Sequence, residues 1–251
     1  MEFEIEGTLK YATSNYQLTI SEPIHITGDE GKVIAIIGEN GSGKTTLIRA
    51  ILEDPVVNLE GNISLTYGGK KPRIVFTPQV AEVEKPLTMR DYIGFQERME
   101  KVVEELGIPL DLTTNNVSSG TLRKAQILKK LLSEGDVYIL DEPISHVDRA
   151  AQRTFANIIN DGKAMGKWFF ISGNEPYFLG EVATDIVYMV VTPENKATAS
   201  SIVITPLPGQ SGLTLRQLAR YHCQYLTQHL YKKKRVKMKR IMFDLEVPDV
   251  V

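Results

Sequence analysis

The chain has a single cysteine, Cys223, in 251 residues. No disulfide can form within it, and a reducing compartment fits. No apolar run approaches the roughly 20 residues that span a bilayer. If this protein works at a membrane, another chain does the spanning. Net charge is −2, so no global imbalance of sign announces a nucleic-acid or membrane partner. The start, Met1-Glu2-Phe3-Glu4-Ile5-Glu6, is acidic and alternating, which is not the pattern of a signal peptide. His222 and His229 lie seven apart with Cys223 nearby, but no further ligand has the spacing of a metal site. Internal repeats are absent, and the only biased stretch is one basic run near the end.

Against these absences, one stretch organises the chain: Gly38-Glu39-Asn40-Gly41-Ser42-Gly43-Lys44-Thr45. The apolar run Val33 to Ile37 leads into it, and Thr46-Leu47-Ile48-Arg49-Ala50-Ile51-Leu52 leads out with helical spacing. This is G-x-x-x-x-G-K-[ST] in the context of strand, loop and helix that the motif requires. Its glycines let backbone N–H groups converge on an anion, and the helix N-terminus adds partial positive charge. A nucleotide is the expected ligand, with Gly38, Asn40, Gly41, Ser42, Gly43, Lys44, Thr45 and Thr46 around its phosphates. Lys44 reaches the β- and γ-phosphates and Thr45 holds Mg²⁺.

Along the rest of the chain, residues 2–27 read as β structure by alternation. Asn62 to Tyr67 alternates again and ends at Gly68-Gly69, a hairpin signal. Arg73 to Phe76 is a short strand. Residues 88–106 read as one helix, started by Thr88 and Asp91 and carrying a stripe of Phe95, Met99, Val102, Val103 and Leu106. A second helix runs from Ser118 to Leu132. Val137 to Leu140 is a buried strand. A helix at about 149–160, a strand at 168–172 that buries Trp168, and strands near 186–191 and 202–205 follow. A last helix spans about 214–235. His25 is expected on a solvent-facing strand position. The order predicts an α/β fold: a P-loop NTPase with a mainly parallel core sheet, an antiparallel β lobe and a small helical lobe at about 80–133.

The strand 137–140 ends in Asp141 and Glu142. After a P-loop, an acid there sits beside the phosphates, where Asp141 can hold the Mg²⁺ shell and Glu142 can orient or deprotonate water. Asp141-Glu142-Pro143, followed by Ser145-His146-Val147-Asp148, resembles the Walker B and D-loop of an ABC-type ATPase. Val117-Ser118-Ser119-Gly120-Thr121 resembles that family's signature loop, usually L-S-G-G-Q. Gln79 resembles its Q-loop, and Tyr11 stands where the family places an aromatic on adenine, with Tyr16 as runner-up. The resemblance covers about residues 2–206, within a nucleotide-binding domain of 1–210. Residues 211–251 lie outside as a basic, helical extension.

The resemblance implies a dimer, of two copies or with another ABC ATPase, that closes on ATP. Each site takes Lys44, Thr45, Gln79, Asp141 and Glu142 from one chain. Ser118 and Gly120 come from the other. Gln79 joins Thr45 and Asp141 at Mg²⁺, and Glu142, Lys44 and Gln79 carry catalysis. Three departures stand out. Ser119 replaces a glycine and Thr121 a glutamine in the signature. Gly173 falls where the family has a histidine, with Asn174 beside it as a partial substitute. Together they predict slow hydrolysis.

What the ATPase drives stays open between three readings. The first is the motor subunit of a membrane transporter, with a separate membrane-spanning subunit. The second is a soluble ABC ATPase acting on nucleic acid or ribosomes. The third is a regulatory module that turns over rarely. Lys232 to Arg235 with Lys237, Lys239 and Arg240 form a basic cluster that suits a solvated helix end, nucleic acid or anionic lipid. Localisation is expected to be cytoplasmic, or peripheral on the cytoplasmic face of a membrane. His146 reads as a turn residue that could touch a partner site.

Overall fold

A computed structural model describes residues 1–11, 17–38, 40–80, 83, 85–145, 147–191 and 197–202. Tyr16, His146, the helix expected at 214–235, the basic cluster and the extension 211–251 lie outside the described residues.

The strands are β1 (Glu2–Tyr11), β2 (Gln17–Thr27), β3 (Val33–Gly38), β4 (Val57–Thr66), β5 (Ile74–Thr77), β6 (Val137–Leu140), β7 (Trp168–Ser172), β8 (Asp185–Val191) and β9 (Ala197–Ile202). The helices are α1 (Lys44–Ile51), α2 (Met89–Ile93), α3 (Glu100–Glu105), α4 (Ser119–Leu131), α5 (Arg149–Ala164) and α6 (Pro176–Val182). The strands form one nine-stranded sheet in the order β4-β1-β2-β9-β8-β3-β7-β6-β5. From β8 to β5 every neighbour is parallel. Antiparallel pairing joins β8 to β9, β2 to β1 and β1 to β4. The predicted β lobe is thus the continuation of the core sheet.

Parallel strands with helices on both faces bury every residue, and their alternation sorts side chains by parity. Ile34, Ile36, Val137, Ile139, Trp168, Phe170, Val187 and Met189 pack with α1 and with β1 and β2 (Phe3, Ile5, Leu18, Ile24, Leu47, Ile48). Val33, Ala35, Tyr138, Leu140, Phe169, Ile171, Ile186 and Tyr188 pack on the other face with α2 to α6. Trp168 is core, and its indole N–H donates to Glu30 O at 3.0 Å. His25 is exposed, as expected, beside Glu2 at 2.9 Å.

The elements differ from the expected ones at several points. The helix over 88–106 is two: Thr88 caps α2, Gly94 ends it at φ 64°, and a short 3-10 turn precedes α3. Gly94 and the extended Gln96 interrupt a stripe that tertiary packing still buries, Met99, Val103 and Leu106 among it. At Gly68-Gly69 the expected two-residue hairpin turn forms, with Tyr67 and Lys70 exchanging both backbone hydrogen bonds, but it stops at that one bridge, because the next strand, β5, pairs in parallel with β6. The strand expected near 202–205 lies outside the described residues except for Ile202, the end of β9, and α5 runs past 160 to Ala164. The last difference is α6, unforeseen because a seven-residue helix opening on Pro176 has too short a pattern to register.

Candidate functional site

The carboxyl ends of β3, β6 and β7 meet at one edge of the parallel sheet, where open α/β sheets place their ligands. The loop after β3 supplies Gly38 to Gly43. Gly41 and Gly43 have φ of 81° and 99°, conformations that open the loop and start α1 with its N–H groups facing outward. Gly38 is held close beneath it: a Cβ there would lie 2.5 Å from Ser42 Oγ and 2.6 Å from Met189 O. Ser42 Oγ is buried and has no hydrogen-bond partner. Lys44 is 5% exposed, donates to Gly38 O at 2.9 Å, and stands 3.5 Å from Glu142 Oε1.

The acids are held from both sides. Thr45 Oγ1 donates to Asp141 Oδ2 at 3.0 Å, and Ser172 Oγ donates to Asp141 Oδ1 at 2.6 Å. Ser172 Oγ also accepts from the Glu142 N–H at 2.8 Å. Gln79 Nε2 donates to Glu142 Oε2 at 2.9 Å. Glu142 itself sits at φ 44°, a left-handed conformation unusual for a residue with a side chain. Tyr11, Asn40, Gly41, Gly43, Lys44, Thr45, Thr46, Gln79 and Glu142 line one cleft of about 490 Å³. Arg49 lies over the Tyr11 ring at 6.0 Å. The sequence-predicted residues of one chain therefore converge, with Asp141 buried behind Thr45.

Ser118 and Gly120 stand apart from this cleft at the start of α4. Ser118 Oγ caps that helix by accepting from Thr121 N–H at 3.1 Å. Gly173 adjoins the site, its N–H on Ile36 O at 3.1 Å, and a Cβ there would meet nothing within 4 Å. Asn174 Oδ1 accepts from Gly38 N–H at 3.4 Å, which ties the loop after β7 to the glycine-rich loop.

Sequence reasoning missed Ser172 and Arg123. Nothing local distinguishes Ser172; only the β6–β7 pairing brings it to Asp141. Arg123 did carry a signal, since it shares the i, i+4, i+8 stripe of α4 with Ile127 and Leu131, all buried. Its pKa is lowered to about 10, chiefly by burial, with the charges of Asp141 and Glu142 opposing. It remains a cation at neutral pH.

The sheet and the glycine-rich loop define a P-loop α/β domain. The family model for ABC transporters matches residues 21–145, and the manganese transport system ATP-binding protein MntB of Bacillus subtilis is 31% identical over 172 residues, which cover 59% of this chain and 68% of that one. The chain belongs to the ABC transporter family. A probable metal transport system ATP-binding protein of Thermotoga maritima is 28% identical over 166 residues, covering 61% of this chain. The chain spans 66% of that relative's length and 56% of that of a zinc import ATP-binding protein ZnuC of Pseudomonas fluorescens. Among solved structures, an RNase-L inhibitor matches with TM-score 0.71 at 19% identity, over 89% of this chain and 42% of that one. An ATP-binding subunit of an ABC transporter matches with TM-score 0.60 at 21% identity, over 75% and 85%. These two likenesses speak to the fold alone.

Proposed function

We propose that this chain binds and hydrolyses ATP with Mg²⁺ and is the motor subunit of a membrane transporter, working with a second nucleotide-binding chain and a separate membrane-spanning subunit. Residues 1–210 are its nucleotide-binding domain and 211–251 an extension. The observation that carries the reading is the linked set Thr45–Asp141 and Lys44–Glu142–Gln79 around one glycine-lined cleft. Relatives named for metal, zinc and manganese transport favour a divalent metal ion as cargo.

The residues present suit the ligands. A hydroxyl and a carboxylate oxygen 3.0 Å apart are the hard donors that Mg²⁺ takes alongside phosphate oxygens. Ser42 Oγ is a buried polar atom that a phosphate oxygen would satisfy. When bound, Mg²⁺ neutralises charge on the phosphate oxygens. Lys44, already at the cleft floor, adds its charge to the β- and γ-phosphates. Tyr11 offers a ring face to the base. Glu142 orients the attacking water and accepts its proton, and Gln79 fixes the carboxylate while adding an oxygen to the metal shell. Ser118 and Gly120 act on a partner's nucleotide through the N-terminus of α4.

Slow turnover is a second element of the proposal, and Gly173 supports it: the position beside the γ-phosphate offers no side chain to polarise it. The test is ATP turnover and oligomeric state of wild type beside Glu142→Gln. ATP should drive the Glu142→Gln form into a dimer, while wild type hydrolyses slowly. ATP binding with neither dimer nor turnover would reduce the chain to a nucleotide-binding module.

A further inference from the structure

Arg123 is a buried cation whose partners are nearly all backbone. Nη2 donates to Asp141 O at 2.9 Å and Glu142 O at 3.0 Å, and Nε donates to Pro143 O at 3.3 Å. Nη1 donates to Pro78 O and to Gln126 Oε1, and Gln126 Nε2 in turn donates to Val80 O at 3.4 Å. These carbonyls belong to the two loops that leave β5 and β6. The β5–β6 ladder runs to Thr77 and Leu140, with Asp141 N–H donating to Thr77 O at 2.9 Å. Immediately past that rung the loops bear Gln79 and Glu142, whose side chains meet over the cleft at 2.9 Å. Glu142 is also the residue held at φ 44°, and such a conformation persists only where its surroundings over-determine it.

We infer that Arg123 is a positioning residue: its planar fork ties the loop of Gln79 to the loop of Glu142 and holds the backbone turn that aims Glu142 at the cleft. This rests on the ATPase reading given above. Arg123 is not among the residues lining the cleft, so its effect falls on turnover, not on nucleotide affinity. A guanidinium can serve several carbonyls in one plane, whereas an ammonium is a point donor. Lysine therefore cannot replace it. Because Arg123 sits on α4, whose first residues are Ser119 and Gly120, a movement of that helix start is carried to both loops by one side chain.

The test compares wild type, Arg123→Met and Arg123→Lys by three measurements. ATP affinity is read by fluorescent-nucleotide titration, steady-state ATP hydrolysis gives kcat and KM, and hydrogen exchange is read at the amides of 141, 142 and 145. The expected result in both variants is kcat lower by about tenfold or more with nucleotide affinity within about threefold. Exchange at 141–145 rises while exchange at 43–52 stays at the wild-type rate. Equal loss of affinity and kcat, or faster exchange across the whole domain, makes Arg123 a general packing residue and overturns the inference. Wild-type kcat in Arg123→Lys also overturns it, since charge alone would then suffice. If wild type binds ATP but does not hydrolyse it, the ATPase reading fails separately, and exchange decides the rest. Loosening confined to 141–145 upholds the tie between the loops, and unchanged exchange refutes it.

Discussion

At Gly173, in a cavity it shares with Asn40 and Glu142, the chain has open space for a side chain. Gly173→His should therefore be accommodated without loss of thermal stability and should raise ATP turnover several-fold, by on the order of the 10²-fold at most that one added polarising contact supplies. Steady-state hydrolysis checks this, and unchanged turnover would sink the account of slow hydrolysis. Ser172 makes the opposite case, for its hydroxyl serves Asp141 Oδ1 and the Glu142 N–H at once. Ser172→Ala leaves two groups without that partner at the base of the site. Stability to urea should fall by about 1–3 kcal/mol. That Lys44, Thr45, Asp141 and Glu142 come together was legible in sequence, because a motif fixes their spacing on one strand, loop or helix. Ser172 and Arg123 were not, because their roles are defined by carbonyls and carboxylates that only the folded sheet brings near.

Among the elements, those with strong local rules were readable. The buried strands 137–140 and 168–172 announce themselves by continuous apolar residues, and Ser118 and Thr88 by their capping positions. The split of 88–106 was hidden because the apolar stripe continues across the break. A second element-level feature is the close pairing of β1 with β4 at Gly7 and Gly61, where a Cβ on Gly7 would lie 2.2 Å from Glu60 O. Gly7→Ala should push these strands apart and cost at least about 1–3 kcal/mol, measurable by chemical denaturation. The start of α5 gives a pH prediction. Asp148 accepts from Ala151 N–H at 2.9 Å and pairs with Lys124 at 3.3 Å. The Ala151 amide, ahead of the lysine, holds the Asp148 carboxyl below its ordinary range. A depressed carboxyl contributes stability that is present above its unfolded value, near pH 4, and lost as pH falls through the folded one. Asp148→Asn keeps the cap and should flatten that part of the acid-unfolding curve, whereas Asp148→Ala should cost about 1 kcal/mol at neutral pH as well.

For the whole molecule, the fold class followed from the order of elements, but the union of both β regions in one sheet did not. It depends on β9, which runs parallel to β2 on one side and antiparallel to β8 on the other. Strand order also places β3 between β7 and β8, so the strand that leads into the glycine-rich loop finds its neighbours only among residues 168–172 and 185–191. During synthesis, β3 and its loop emerge long before either neighbour exists. Both of its edges then stay open, and Asp141, made later, still waits for Ser172. On a growing chain the nucleotide cleft is therefore incomplete until β7 and β8 are made, and a chain that ends before β7 carries the P-loop sequence without either sheet neighbour of β3. Long-range parallel pairing of this kind is slow to form.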